Sequence, residues 1–227
     1  MPRKNLVPLQ GHPLIAYAVG AAREAEIFDA VVVSTDSEEI AGVAESYGAE
    51  VPGLRPPELA TATSSDIEWV LRTMAGRDEE VFAIVRPTSP FRSGATIRRA
   101  FERLIELGER ADSIRAVERV RQHPGKMWTL DGGLLTPLLA QPPGETPLHS
   151  RQYHALPEVL VQNSSLELAW SHVLGPPLPT ISGERVAPFF TEGWEGFSID
   201  YPEDVERAGH AVERGDATLP SVPLPVR

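Results

Sequence analysis

Apolar runs of strand length alternate with helix-length stretches along most of this chain, and that alternation limits its fold more than any other feature. AVVVSTD at 30–36 is a β-branched run, VFAIV at 81–85 a continuous apolar one, and DSIRAVERV at 112–120 reads as a further strand. Between them the spacing turns helical. Residues 13–27 place apolar groups at 14, 15, 18, 19, 22 and 27, with Pro13 suited to a first turn. Asp36 and Glu39 stand at capping-box spacing before Ile40, Val43, Ala44 and Tyr47, and Gly48 closes that stretch. Ser65 and Glu68 repeat the spacing ahead of an apolar stripe at 67, 70, 71 and 74, and a helix is predicted over 94–107, stopped by Gly108. Strands joined through helices imply right-handed crossovers, so the expected fold is a Rossmann-like, doubly wound α/β domain with a mostly parallel sheet. Ligands of such sheets bind beyond the carboxyl ends of the strands. The segments to follow are therefore STD, RPTSPFR and the loop before residue 6.

From 137 to 157 proline and glycine interrupt every pattern, which predicts an irregular excursion, and loops of that length in compact domains are functional or disordered. Strand character returns at 158–170, and 197–212 reads as a strand end, a turn and a last helix with Pro202 near its start. One domain over 1–216 is expected, followed by a disordered tail at 217–227 rich in proline and valine.

Composition removes several function classes. At 227 residues the chain can bury a sizeable core, and it has no apolar run long enough to span a bilayer. A net charge of −11 argues against a nucleic-acid partner, which would need a basic face, but leaves room for an anionic small molecule where a few cations converge. The absence of cysteine excludes thiolate chemistry and fits a reducing compartment, so cytoplasm is the expected location. Neither a dinucleotide Gly-x-Gly-x-x-Gly nor a phosphate-binding Gly-x-x-x-x-Gly-Lys-Ser/Thr occurs. Lys4 and Lys126 are the two lysines among 21 basic residues. A compact ammonium serves a phosphate or carboxylate site differently from a planar guanidinium, so both are candidate ligands, with chance survival on a solvated surface as the alternative.

The ordered series PRKN, PLIAY, VVVSTDSEEIA, LRPPELATATSSDI, PTSPFR, QHPGKMW, LPEVLVQN and SIDYPEDVERA resembles the acylneuraminate cytidylyltransferases, or CMP-sialic acid synthetases, relatives of the CMP-Kdo synthetases in the nucleotide-diphosphosugar transferase fold. The resemblance runs from residue 2 to about 212. It implies CTP and an acidic 2-keto sugar as substrates, Mg²⁺ as cofactor and a homodimer to which the 137–157 excursion contributes. It also implies a strand and a Gly-rich phosphate loop upstream of Met1, since PRKN matches only the end of that loop. Lys4 and Asn5 then belong to the phosphate loop, Arg55 approaches the nucleotide, and Thr88, Ser89 and Arg92 of PTSPFR bind substrate or support the site. On the sugar side stand His123 and Lys126 of the His-Pro-x-Lys stretch, with Gln162 and Asn163 where relatives carry Arg-x-Asn-Gly. Asp200 matches the second aspartate of an Asp-x-Asp metal motif, or is simply a cap before Pro202.

Three departures stand out. Ser198 occupies the position of the first metal aspartate, Arg86 that of a usual glutamine on the sugar side, and Val161 that of a frequent arginine. The last two imply altered contacts to the sugar. A CMP-sugar synthetase is therefore expected, with a non-catalytic nucleotide- or sugar-binding relative as the alternative and a different Rossmann-like enzyme as a third, less supported one.

Overall fold

The computed structural model describes residues 1, 3–61 and 63–222. Two compact units divide the chain: one comprises Met1–Ala116 together with Asn163 onward, the other Val117–Gln162. The excursion expected at 137–157 is thus the later part of a unit that already begins at Val117.

In the first unit five helices form where the periodicity predicts: α1 Leu14–Ala25, α2 Glu38–Ser46, α3 Asp66–Met74, α4 Gly94–Leu107 and α5 Pro202–Glu213. Helix α1 lacks a polar face and is accordingly buried along almost its whole length. The α2 cap differs from expectation: Ser37, not Asp36, caps the helix, its Oγ accepting from Ile40 N–H at 3.3 Å. The serine sits one residue before the first helical turn, where its hydroxyl reaches the N3 amide. Helix α3 has the expected box, with Ser65 N–H donating to Glu68 Oε2 at 3.1 Å. Helix α4 starts against α1 so closely that a Cβ on Gly94 would lie 2.7 Å from Ala25 N, which reserves that position for glycine.

The strands are β1 Pro8–Leu9, β2 His12–Pro13, β3 Val81–Val85, β4 Ser113–Arg119, β5 Trp128–Asp131, β6 Leu134–Pro137, β7 Leu160–Trp170 and β8 Val186–Phe190. A four-stranded sheet runs in the order β3-β7-β4-β8, and β3 pairs antiparallel with β7 in a register that sets Ile84 opposite Glu167. Strand β3 shows why the sheet is covered twice. Val81, Ala83 and Val85 face a core built from Ala21, Ile97 and Leu104, while Phe82 and Ile84 pack with Val70 of α3. The expected strand at 30–36 is reduced to one parallel bridge between Val32 and Glu50, and Thr35 O accepts from Arg55 N–H at 2.7 Å. The α/β expectation holds, with a sheet of mixed direction. At the carboxyl end, Ala217 is buried beside Ala208 and Ala211, with Leu219 and Val222 packed on the same cluster. Residues 217–222 therefore do not begin the tail that composition suggests, because their apolar side chains find a partner in α5. Residues 223–227 of that expected tail lie outside the described residues.

In the second unit β5 and β6 form an antiparallel hairpin, Asp131 opposite Leu134. Its turn, Gly132 at φ 54° and Gly133 at φ 82°, has the left-handed pair that a tight two-residue hairpin requires. Among the described residues no helix is long and apolar enough to cross a membrane.

Candidate functional site

The short 3-10 turn Lys4–Leu6 follows Arg3, whose backbone is left-handed at φ 53°. From this turn Lys4 Nζ donates to Asp200 Oδ1 at 2.8 Å, joining residues 196 positions apart. One residue earlier, Ile199 N–H donates to Thr88 O at 2.8 Å, so the SID segment lies against the PTSP turn beyond the carboxyl end of β3. The hydrogen bond from Lys4 and a weaker one from Ser198 hold the Asp200 carboxyl below its ordinary value. Asn5 is half-buried on the same turn. Asp200 is not the cap of α5. Its carboxylate is half exposed and bonded by Lys4, while the capping role at α5 falls to Asp204, whose Oδ2 accepts from the Asp200 and Tyr201 amides at 3.0 Å.

The PTSPFR residues divide by environment. Ser89 is 1% exposed and its Oγ has no hydrogen-bond partner among the described residues. Arg92 is equally buried, and its guanidinium donates to the carbonyls of Arg86 and Ser165. Burial pulls that group down to about 9, still protonated at neutral pH. Arg92 thus fixes the strand end from within. Arg86 lies between two carboxylates, 2.5 Å from Asp66 Oδ2 and 3.1 Å from Glu167 Oε1. Glu167 also meets Arg115 at 2.8 Å. Asn163 donates from Nδ2 to Thr191 Oγ1 at 2.8 Å and accepts from Ser165 N–H through Oδ1.

Arg55 is pinned three ways: its NH2 donates to Ser34 O at 2.5 Å, its backbone amide bonds Thr35, and its guanidinium lies 5.6 Å from the Trp69 ring centroid. Trp69 in turn donates from Nε1 to Asp66 Oδ1 at 2.9 Å. Burial would raise the Asp66 carboxyl, but hydrogen bonds from Arg86 and Trp69 hold it below its usual value. The roles of Asp66, Trp69 and Glu167 were not visible in motif order. One signal was present: a lone glutamate inside the buried run SSLELAW marks a charge that must be paired.

The remaining sugar-side candidates lie in the second unit, where His123 and Lys126 serve its internal structure. His123 is buried, its Nδ1 accepts from Gly125 N–H at 2.9 Å, and Nε2 faces Pro157 O at 2.9 Å, which requires the neutral tautomer protonated on Nε2. Lys126 donates to the carbonyls of His149 and Arg151 at 3.1 and 2.8 Å. Gln162 is exposed on β7.

For a hard cation the donor supply is limited. Among the described residues no three His, Asp or Glu side chains gather as a metal group. Mg²⁺ bound with a triphosphate takes one or two carboxylates and draws its other ligands from phosphate and water, and the half-exposed Asp200 meets that smaller demand.

A family model described as cytidylyltransferase matches residues 1–127. The N-acylneuraminate cytidylyltransferase of Escherichia coli O18:K1:H7 is 45% identical over 95 residues, covering 41% of this chain and 22% of that protein. The CMP-N,N'-diacetyllegionaminic acid synthase of Legionella pneumophila is 39% identical over 148 residues, covering 62% of each. The chain thus matches less than two thirds of the length of these relatives. A solved CMP:2-keto-3-deoxy-manno-octonic acid synthetase complexed with CTP superposes with a TM-score of 0.65 over 95% of this chain and 93% of that one, at 11% identity, a likeness of fold.

Proposed function

Because this chain belongs to the cytidylyltransferase family, we propose that it transfers CMP from CTP to the anomeric hydroxyl of an acidic 2-keto sugar, a sialic acid or related nonulosonate, releasing pyrophosphate. The observation that carries this reading is the Lys4–Asp200 contact beside the PTSP turn, where a basic, an acidic and a hydroxyl-bearing motif meet beyond a strand end. Relatives named for sialic, legionaminic and pseudaminic acids support the substrate class.

In the reaction the anomeric oxygen bonds to the α-phosphorus, the bond from that phosphorus to the bridging oxygen breaks so that pyrophosphate leaves, and the hydroxyl proton passes to solvent. Such transfer depends on positioning and charge neutralisation. Lys4 and Arg55 bind the triphosphate, Asn5 holds the turn that carries Lys4, and Thr88 and Ser89 present hydroxyls at the strand end. Arg92 keeps that end in place through the Arg86 and Ser165 carbonyls. Mg²⁺, held by Asp200, supplies charge neutralisation at the phosphates when bound. Arg86 and Asn163 are assigned to the sugar; Gln162, His123 and Lys126 of the second unit carry a sugar-side assignment by resemblance alone, the last two through the backbone they fix.

We further propose that the protein is a cytoplasmic homodimer. In the second unit the hairpin sets Leu130, exposed at 73%, opposite Leu135, exposed at 63%, on one side of the ribbon, an apolar patch of the kind a second copy would cover.

Pyrophosphate release from CTP and Mg²⁺ against a panel of sialic, legionaminic, pseudaminic and Kdo sugars tests the activity. Release with one nonulosonate supports it. Silence across the panel, with CTP bound in calorimetry, would overturn the catalytic reading.

A further inference from the structure

An unbroken polar path links the core of the sheet to Arg55. Glu167, 4% exposed in its side chain, bonds Arg86; Arg86 bonds Asp66 Oδ2; Asp66 Oδ1 accepts the Trp69 indole N–H; the Trp69 ring lies beneath the Arg55 guanidinium. Asp66 is the middle of this path because each of its oxygens takes one neighbour. We propose that Asp66 is a positioning residue for CTP binding, setting the Trp69 ring on which Arg55 rests, with Arg86 and Glu167 holding Asp66 in turn. The inference rests on the assignment of Arg55 to the nucleotide.

The chemistry favours this over simple packing. An indole N–H has one donor, and here it is given to a carboxylate, which fixes the ring plane as packing alone does not. A guanidinium over an indole face is held by charge and ring together. Asp66 opens α3, so the middle residue of the path stands at the start of the helix that carries Trp69. Arg86 then has two tasks, toward the sugar and toward Asp66. Its guanidinium gives Asp66 a charged tether that a neutral amide would not supply.

The test combines kinetics with nuclear magnetic resonance on the full chain. Asp66→Ala is expected to raise KM for CTP about tenfold while kcat stays within about twofold. Trp69→Phe keeps a ring under Arg55 and cuts the indole bond, so a double variant with Asp66→Ala should lose no more than Asp66→Ala alone. Independent losses that add in the double variant, or an unchanged KM, would overturn the proposal. The Trp69 indole and Arg55 Nε–H resonances, assigned through Trp69→Phe and Arg55→Lys, give a readout that needs no turnover. Both should move in Asp66→Ala and return toward the wild-type positions in Asp66→Asn, which keeps an acceptor for the indole. If the wild type is inactive but both resonances respond, the catalytic reading fails and the path stands. If Arg55 Nε–H stays in place, the path fails whatever the activity.

Discussion

Lys4 donates to Asp200 across 196 positions of sequence at 2.8 Å, and this contact ties the first motif of the chain to the last. Its consequence is electrostatic. An ammonium beside a carboxylate stabilises the ionised form, and Lys4→Met should return Asp200 toward the ordinary aspartate range near 3.9. Carboxyl-carbon resonance titration of Asp200 in the two proteins measures this directly; identical titration curves would remove Lys4 as the cause. Arg55→Ala and Asp200→Ala should each lower turnover severely with thermal unfolding little changed. A wild-type rate in either would take that residue out of the site.

Asp112 sets a pH dependence of stability. Two bonds from Arg185 and the backbone amides of Glu184 and Arg185 hold its carboxyl well below the ordinary range, with a side chain 8% exposed. A depressed folded value means the stabilisation is complete above the unfolded value near 3.9 and is lost as pH falls through the lower folded one. Asp112→Asn should therefore cost about 2–3 kcal/mol at pH 7 in urea unfolding, with the gap to wild type narrowing below about pH 4. A gap that widens in acid would contradict the assignment.

Ser164 sits at φ 58° inside β7, a left-handed conformation in a strand. An L-residue there costs roughly 1–2 kcal/mol, part of which glycine recovers after its own loss of chain freedom. Ser164→Gly should raise stability by about 0.5–1 kcal/mol in denaturant titration. Destabilisation would show that the Ser164 side chain makes a contact worth more than the strain.

The exposed leucines of the hairpin supply the dimer test. Leu130→Glu with Leu135→Glu should shift light scattering from dimer to monomer, and circular dichroism should be unchanged because neither side chain is buried. A wild-type protein that is monomeric at micromolar concentration would remove the dimer proposal.

How far the sequence could be read depended on the range of the interaction involved. The limits of α4 at Gly94 and Leu107, with Gly108 as its stop, followed from spacing and turn chemistry within a few residues. The hairpin at 128–137 was missed although its Asp131-Gly132-Gly133 turn was a signal: no strand was expected over 128–136, and irregular chain was expected from 137. Motif order gathered Lys4, Thr88, Ser89 and Asp200 as candidates before their proximity was known.

Periodicity, caps and motif order were thus determined by the sequence, since each rests on neighbours one or two helical turns away. Only the tertiary structure decided that Lys4 meets Asp200, that Arg92 is spent on backbone carbonyls, that Lys126 ties down a loop, and that Glu167, Arg86, Asp66 and Trp69 lead to Arg55. The physical reason is that an ion pair or a shared proton needs two atoms within about 3 Å, and which distant residues come that close is settled by how helices and strands pack, not by their spacing along the chain.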